Sequence, residues 1–216
     1  MELNRLPAEI GKLINLEELN LFNNNLSSLP AEIGNLTKLK ELHLEINKLI
    51  SLPAEIGKLI NLKVLNLRNN QLSSLPPEIG NLANLKLLYL YDNKLSILPT
   101  EICNLNNLLI LNLRNNQLSN LPEEIVKLVN LEELNLYNNN LRILPPKIFP
   151  LINKFQIDES SYEINNLDME CEILIFSELH ITITNLPINL KELWLSKNIK
   201  KYDIKLPLNC QIKYFY

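Results

Sequence analysis

The sequence has few of the residues on which most catalytic and metal sites depend. It holds only two histidines, His43 and His180, and three widely spaced cysteines, Cys103, Cys171 and Cys210. Neither histidine has a Cys or His partner at metal-ligand spacing. Nucleophile-elbow, phosphate-loop and dinucleotide-binding motifs are missing as well. We therefore expect a protein that is not an enzyme and that uses neither a metal nor a cofactor.

Excess charge and long apolar runs are also lacking. The net charge is −3 and the pI is about 5.6, which argues against capture of nucleic acid or acidic lipid. No apolar run is long enough to span a bilayer, and Met1 is followed by Glu2 without a signal-peptide core. Three unpatterned cysteines suit reduced thiols better than a disulfide framework. These features predict a cytoplasmic protein without nucleic-acid or membrane partners.

Leucine is abundant and strictly placed. A Leu-Pro pair begins a new copy of the same pattern every 23 residues, starting at Leu6, Leu29, Leu52, Leu75, Leu98, Leu121 and Leu144. A fixed period of this size is typical of a solenoid. Leu65 and Leu67 are two residues apart, so they point the same way from a short strand, whereas Asn66 points the other way. Stacked copies would bury such leucines against each other and form a parallel sheet.

Three further columns of equivalent residues recur in the predicted coils. The asparagine that follows each strand needs buried partners, and we expect it to bond backbone groups of its own turn and of the next repeat. The column comprises Asn24, Asn47, Asn70, Asn93, Asn116 and Asn139. The proline of each Leu-Pro pair suits the start of a short helical turn, and the Gly11 column accepts Val126, so it requires no positive φ.

These residues carry a resemblance to a known family. L-x-x-L-x-L-x-x-N-x-L at Leu62–Leu72 is the leucine-rich repeat pattern, and the unit from Leu52 resembles the cytosolic Ras-suppressor, scribble and plant intracellular Ras-group class. The resemblance implies an α/β solenoid, with a curved parallel sheet on the concave side and short helical turns on the convex side. It also implies a scaffold in signalling, with a small GTPase as one possible partner.

The regularity ends before the chain does. We predict leucine-rich repeats over residues 1–151, with six regular copies and a decaying seventh, and a strand-rich C-terminal cap over residues 152–216. Residues 154–166 are polar and irregular, which indicates a loop or a distorted repeat. Strands are predicted in 172–176 and 179–184, and a second Leu-Pro pair at Leu206 leads to residues 212–216 at the end of the cap. The shorter repeat from Leu186 is similar to effector-type and FNIP-type repeats.

Function is expected on the outward side of the strands. In mid-sheet an apolar stripe lies beside tyrosines and arginines, which are typical of protein interfaces. The predicted partner-binding residues are Val64, Arg68, Leu87, Tyr89, Tyr91, Ile110, Arg114 and Tyr137. His43, in contrast, is interpreted as an exposed residue of the same face. The predicted function is binding of a protein or peptide on the concave face. The alternative is a self-assembling structural protein that pairs, as a homodimer, through an uncapped N-terminal edge.

Overall fold

The computed structural model describes residues 2–141, 155–156, 173–176, 192–196 and 210–215. Six coils of the chain follow one another, and each contributes one short helix and one short strand. The strands lie side by side in a parallel sheet and the helices line the opposite side. None of the helices in the described part of the chain has the length and apolar character needed to cross a membrane.

The helices are short 3₁₀ segments, and each is preceded by the proline of the Leu-Pro pair. They span Ala8–Lys12 (η1), Ala31–Asn35 (η2), Ala54–Lys58 (η3), Pro77–Asn81 (η4), Thr100–Asn104 (η5) and Glu123–Lys127 (η6). Pro7 has extended dihedrals, and its carbonyl accepts the first i→i+3 bond, from Ile10 N–H at 3.1 Å. Each helix thus begins one residue later than the sequence indicated. A glutamate lies in the first turn, where its charge favours the helix N-terminus.

The glycine column lets successive helices approach closely. No described glycine has a positive φ, as expected. A Cβ built on Gly34 would lie 2.7 Å from the carbonyl oxygen of Glu55 in the next helix. Glycine at this position therefore provides space between coils and not an unusual backbone conformation.

The strands are three residues long and pair in an unbroken register. They are Glu18–Asn20 (β1), Glu41–His43 (β2), Val64–Asn66 (β3), Leu87–Tyr89 (β4), Ile110–Asn112 (β5) and Glu133–Asn135 (β6). Each residue pairs with the residue 23 positions later, for example Leu42 with Leu65 and Leu65 with Leu88. Equivalent side chains of all six coils therefore form straight columns across the sheet.

The core consists of the repeated leucines and isoleucines. Leu65 and Leu67 have no exposed surface, which places them inward as the pattern predicted, whereas Asn66 is only half-buried on the other face. Burial of each such side chain contributes roughly 1.5–3 kcal/mol before conformational entropy is subtracted. The buried leucines and isoleucines of all six coils form a single cluster, so the stacked coils share one core.

The asparagine column joins each coil to the one before it. Asn70 Nδ2 donates to the carbonyls of Leu67, in its own coil, at 3.1 Å and of Leu44, in the preceding coil, at 3.0 Å. Its Oδ1 accepts the N–H of Leu49, also in the preceding coil, at 3.0 Å. We expected the asparagine side chain to bond the next repeat, and this expectation was wrong. The side-chain hydrogen bonds that leave the coil of Asn70 go to the preceding coil.

The residues described beyond position 141 include four more strands. Phe155–Gln156 (β7) pairs with β6, so Phe155 lies 21 residues after its partner Leu134 and not 23. These two residues belong to a distorted repeat, one of the two interpretations of 154–166. Ile173–Phe176 (β8), Glu192–Ser196 (β9) and Gln211–Phe215 (β10) form a second parallel sheet in the order β10-β9-β8. The strand expected at 179–184 lies outside the described residues.

Candidate functional site

The register gathers the predicted apolar residues into one stripe. Val64 pairs with Leu87, and Leu87 pairs with Ile110, so the three side chains are adjacent on the outward face. All three are half-buried. Glu41 and Glu133 occupy the flanking positions of the same column. The stripe is therefore a short apolar strip between two acidic ends.

The next outward column is mostly asparagine for a structural reason. The Oδ1 atoms of Asn20, Asn66 and Asn112 accept the N–H of the residue two positions later, at 3.0, 3.3 and 3.2 Å. Asn135 makes the same bond to Tyr137 at 3.1 Å. The bond closes the turn that leaves the strand. His43 and Tyr89 are the two members of this column that replace asparagine. Their coils therefore lack the asparagine hydrogen bond that closes the turn elsewhere.

Arg68 and Tyr91 form a pair across neighbouring coils. Arg68 Nη1 donates to the Tyr91 hydroxyl at 2.6 Å, and the guanidinium carbon lies 5.7 Å from the ring centroid. This hydrogen bond raises the pKa of Arg68 above its usual range, with further support from Glu45 and Asp92 and against the effect of burial. Arg68 is therefore a permanent positive charge, and one of its guanidinium N–H groups is already used in a hydrogen bond within the protein.

Arg114 and Tyr137 form a second, looser pair. The guanidinium carbon of Arg114 lies 5.1 Å from the ring centroid of Tyr137, a cation–π distance. Both side chains are exposed. Within the described ranges, the Arg114 guanidinium has no hydrogen bond or ion pair. Its five N–H donors therefore remain available to a ligand.

A groove lies between these groups. It has a volume of about 520 Å³ and is lined by Tyr89, Tyr91, Asp92, Asn112, Arg114, Asn115 and Asn135. Three of the eight predicted residues line it, namely Tyr89, Tyr91 and Arg114. The other five, Val64, Arg68, Leu87, Ile110 and Tyr137, lie on the surrounding face.

Asp92 and Asn115 were missed by the sequence prediction. Both have positive φ, 56° and 53°, as do the other members of their column. Asn115 Nδ2 donates to Asp92 Oδ1 at 2.5 Å, and Asn138 Nδ2 donates to Asn115 Oδ1 at 2.9 Å. The available signal was a column three residues after each strand in which five of the six members are Asn or Asp, since these residues tolerate the left-handed conformation.

The described cysteines are poorly suited to nucleophilic chemistry. Burial is the main cause that raises the pKa of the Cys103 thiol to about 11, and burial also raises the pKa of Cys210. A raised pKa disfavours the thiolate, which is the nucleophilic form. Cys171 lies outside the described residues.

Family models match most of the regular coils. A leucine-rich repeat region matches residues 51–115, a pair of leucine-rich repeats matches 14–55, and a single leucine-rich repeat matches 107–128 and 130–151. A search of curated protein sequences found no match.

Solved structures of similar sequence have the same architecture. A leucine-rich repeat protein from Leptospira interrogans is 33% identical, with 100% of this chain and 70% of that chain covered and a TM-score of 0.55. The plant peptide hormone receptor RGFR1, solved in complex with RGF2, is 34% identical over 89% of this chain and 35% of its own, with a TM-score of 0.69. The ectodomain of the receptor kinase SOBIR1 from Arabidopsis thaliana is 35% identical over 59% of this chain and 71% of its own, with a TM-score of 0.53.

Proposed function

The chain belongs to the leucine-rich repeat proteins, and we propose that it is a non-enzymatic interaction module that holds a segment of a partner protein on its concave face. One observation carries the proposal: the groove of about 520 Å³, whose lining places Tyr89 and Tyr91 with Arg114, a guanidinium that makes no hydrogen bond or ion pair with the described residues. Tyrosine and arginine are the side chains on which interfaces most often depend.

The surrounding face suggests what such a segment would look like. Val64, Leu87 and Ile110 offer apolar contact to side chains that alternate along an extended segment. Arg114 offers a bidentate site to a carboxylate. An extended stretch with one acidic residue near Arg114 and apolar residues over the stripe would satisfy both.

The similar structures support a protein or peptide ligand without naming one. The RGFR1 receptor was solved with RGF2 bound, but this chain spans about a third of that receptor's length. Its ligand is therefore a property of the receptor. The shared feature is the repeat architecture, which presents variable side chains on one continuous sheet.

The proposal is tested by affinity capture from the native cell, with mass spectrometry to identify the partner. We expect Arg114→Ala and the double variant Tyr89→Ala/Tyr91→Ala to lose the captured partner. The matched control is Lys127→Ala, which removes a charge from the convex helix η6 and should leave capture unchanged. Thermal unfolding of each variant separates lost binding from lost folding. Capture that is the same for all variants would reject the concave face as the binding surface.

A second candidate function is self-association through the N-terminal edge. Leu13 is 52% exposed, whereas its equivalents Leu36 and Leu59 have no exposed surface. The first coil thus presents core residues that the other coils cover, and a second copy could cover them. Light scattering at tens of micromolar distinguishes the two proposals, since a monomer would remove self-association.

The finer assignments rest on the sequence alone. A small GTPase partner, a scaffold role in signalling and the Ras-suppressor type of class are proposals from the repeat unit that begins at Leu52. A cytoplasmic location is proposed from the three widely spaced cysteines. Binding assays with purified GTPases and fractionation of the native cell would test them directly.

A further inference from the structure

A second group of polar side chains lies on the same face, in the first two strands. Glu18 of β1 pairs directly with Glu41 of β2, and His43 follows two residues after Glu41. One carboxylate oxygen from each glutamate and one imidazole nitrogen of His43 all lie within 4.8 Å of one another. The three come from two coils, so their spacing along the chain does not show that they meet.

Neither glutamate has a lysine or arginine partner in the part of the chain that the structure describes. Like charges directly opposite each other on paired strands are destabilising. Within the described ranges, no lysine or arginine lies within 4.0 Å of either carboxylate; the nearby Lys40 is paired with Glu17 instead, at 2.8 Å. Among the described residues, His43 is therefore the one basic side chain within ion-pair distance of either of these two carboxylates.

A third carboxylate lies behind the imidazole and is almost fully buried. Glu45 is 8% exposed, and its Oε1 lies 3.8 Å from His43 Nδ1. Its Oε2 is buried without a hydrogen-bond partner. On the other side of the ring, His43 Nε2 lies 3.4 Å from Glu41 Oε2. The 3.8 Å separation is that of an ion pair and not of a hydrogen bond, while Nε2 faces Glu41 on the other side of the ring. Carboxylates commonly stand behind metal-binding histidines in this way and orient the ring.

We propose that Glu18, Glu41 and His43 bind a divalent transition-metal ion of the zinc class, with Glu45 as the residue that positions the imidazole. The distance of 3.4 Å between Glu41 Oε2 and His43 Nε2 matches the edge of a tetrahedron with bonds of about 2.0–2.1 Å. Imidazole with carboxylates suits zinc and its neighbours better than magnesium or calcium, which prefer oxygen alone. The fourth position faces the concave side and is open to water or a partner's side chain.

Replacement of the column residue supports a specific role for His43. Asparagine occupies this position in four of the six coils, where it closes the turn with a hydrogen bond. His43→Asn therefore restores the residue that the fold uses elsewhere, and should fold as well as the natural protein.

The test is titration of the protein with Zn²⁺ by isothermal calorimetry. The wild-type protein should bind one Zn²⁺, and His43→Asn should weaken binding at least tenfold while its zinc-free melting temperature does not fall. His180→Asn is the matched control, because it removes the only other histidine and should leave affinity unchanged. Mg²⁺ should not compete at equal concentration. Zinc affinity that survives His43→Asn, or a wild-type protein that does not bind Zn²⁺, would overturn the proposal.

The positioning role of Glu45 has its own test. Glu45→Gln should weaken zinc binding by roughly 10- to 100-fold. It should also change the balance of the two His43 tautomers in the zinc-free protein, which long-range ¹H–¹⁵N spectra report and a loss of packing alone would not change. An unchanged tautomer ratio together with unchanged affinity would contradict the assignment.

Discussion

The second and third coils have the same backbone conformation but differ in the side chains at the end of their strands and just after them. In the third coil, Asn66 accepts the N–H of Arg68 at 3.3 Å, and Asn69 takes a φ of 52°. In the second coil the equivalent positions hold His43, the buried Glu45 and Ile46, which has a φ of 54°. A β-branched residue in the left-handed region is a genuine outlier.

The difference shows that the repeated backbone, which the buried leucines and the asparagine column hold in place and which we call the frame, tolerates a residue that is locally unfavourable. The strands of the two coils pair in perfect register, and Leu42 and Leu65 are both fully buried. The packed leucines and the asparagine column therefore determine the backbone, and the residues between them are free to vary. His43 and Tyr89 are two positions where the residue departs from the asparagine that suits the backbone, and both lie in the sites proposed above.

The largest expected effect concerns the frame that the two coils share. Asn47→Leu and Asn70→Leu should each lower the free energy of unfolding by roughly 1–3 kcal/mol, because each leaves buried carbonyls and one N–H unpaired. Urea denaturation measures both, with the exposed Gln71→Ala as control. If only one of the two substitutions lowered the free energy of unfolding, the two asparagines would not have the same structural role.

The next prediction exchanges the residues that differ. Ile46→Asn should raise the free energy of unfolding by about 1 kcal/mol, and Asn69→Ile should lower it by about 1–2 kcal/mol, because the left-handed conformation penalises a branched side chain. Ile46→Val is the matched control and should give no gain, since valine is also β-branched. Equal stability of all the variants would mean that the strain at Ile46 is relieved elsewhere.

The smallest effect concerns the arginine of the third coil. Tyr91→Phe removes the hydroxyl that accepts from Arg68 Nη1, and should lower the free energy of unfolding by about 0.5–1 kcal/mol. Tyr89→Phe serves as control, because the Tyr89 hydroxyl has no hydrogen bond with the described residues. If both variants lost the same stability, the Arg68–Tyr91 bond would not be the cause.

Most of the repeated backbone arrangement could be predicted from the sequence, because the same pattern of buried and exposed residues recurs every 23 residues. The inward direction of Leu65 and Leu67 and the parallel sheet follow from spacing alone. The direction of the asparagine bonds did not follow, since it depends on how far each coil is displaced from the last. The strand at Phe155–Gln156 was ambiguous because its step of 21 residues breaks the period.

The candidate sites were harder to predict because they depend on side chains from different coils. The columns brought Tyr89 and Arg114 to one face, but the groove also uses Asp92 and Asn115, whose positive φ the sequence analysis did not consider. The cluster of Glu18, Glu41 and His43 was missed for a similar reason. These residues have no metal-ligand spacing along the chain, and Glu18 lies beside Glu41 because the strand register pairs residues that are 23 positions apart.

The central claim is that variable side chains on the strand face, and not those on the convex side, contact the partner. Site-specific photocrosslinking tests it most directly, with benzoylphenylalanine at position 89 in the groove and, in a second sample, at position 129 on the opposite side, where Val129 is 69% exposed. We predict a crosslinked partner from position 89 and none from position 129. A partner crosslinked from position 129 alone, or equally from both, would contradict the claim.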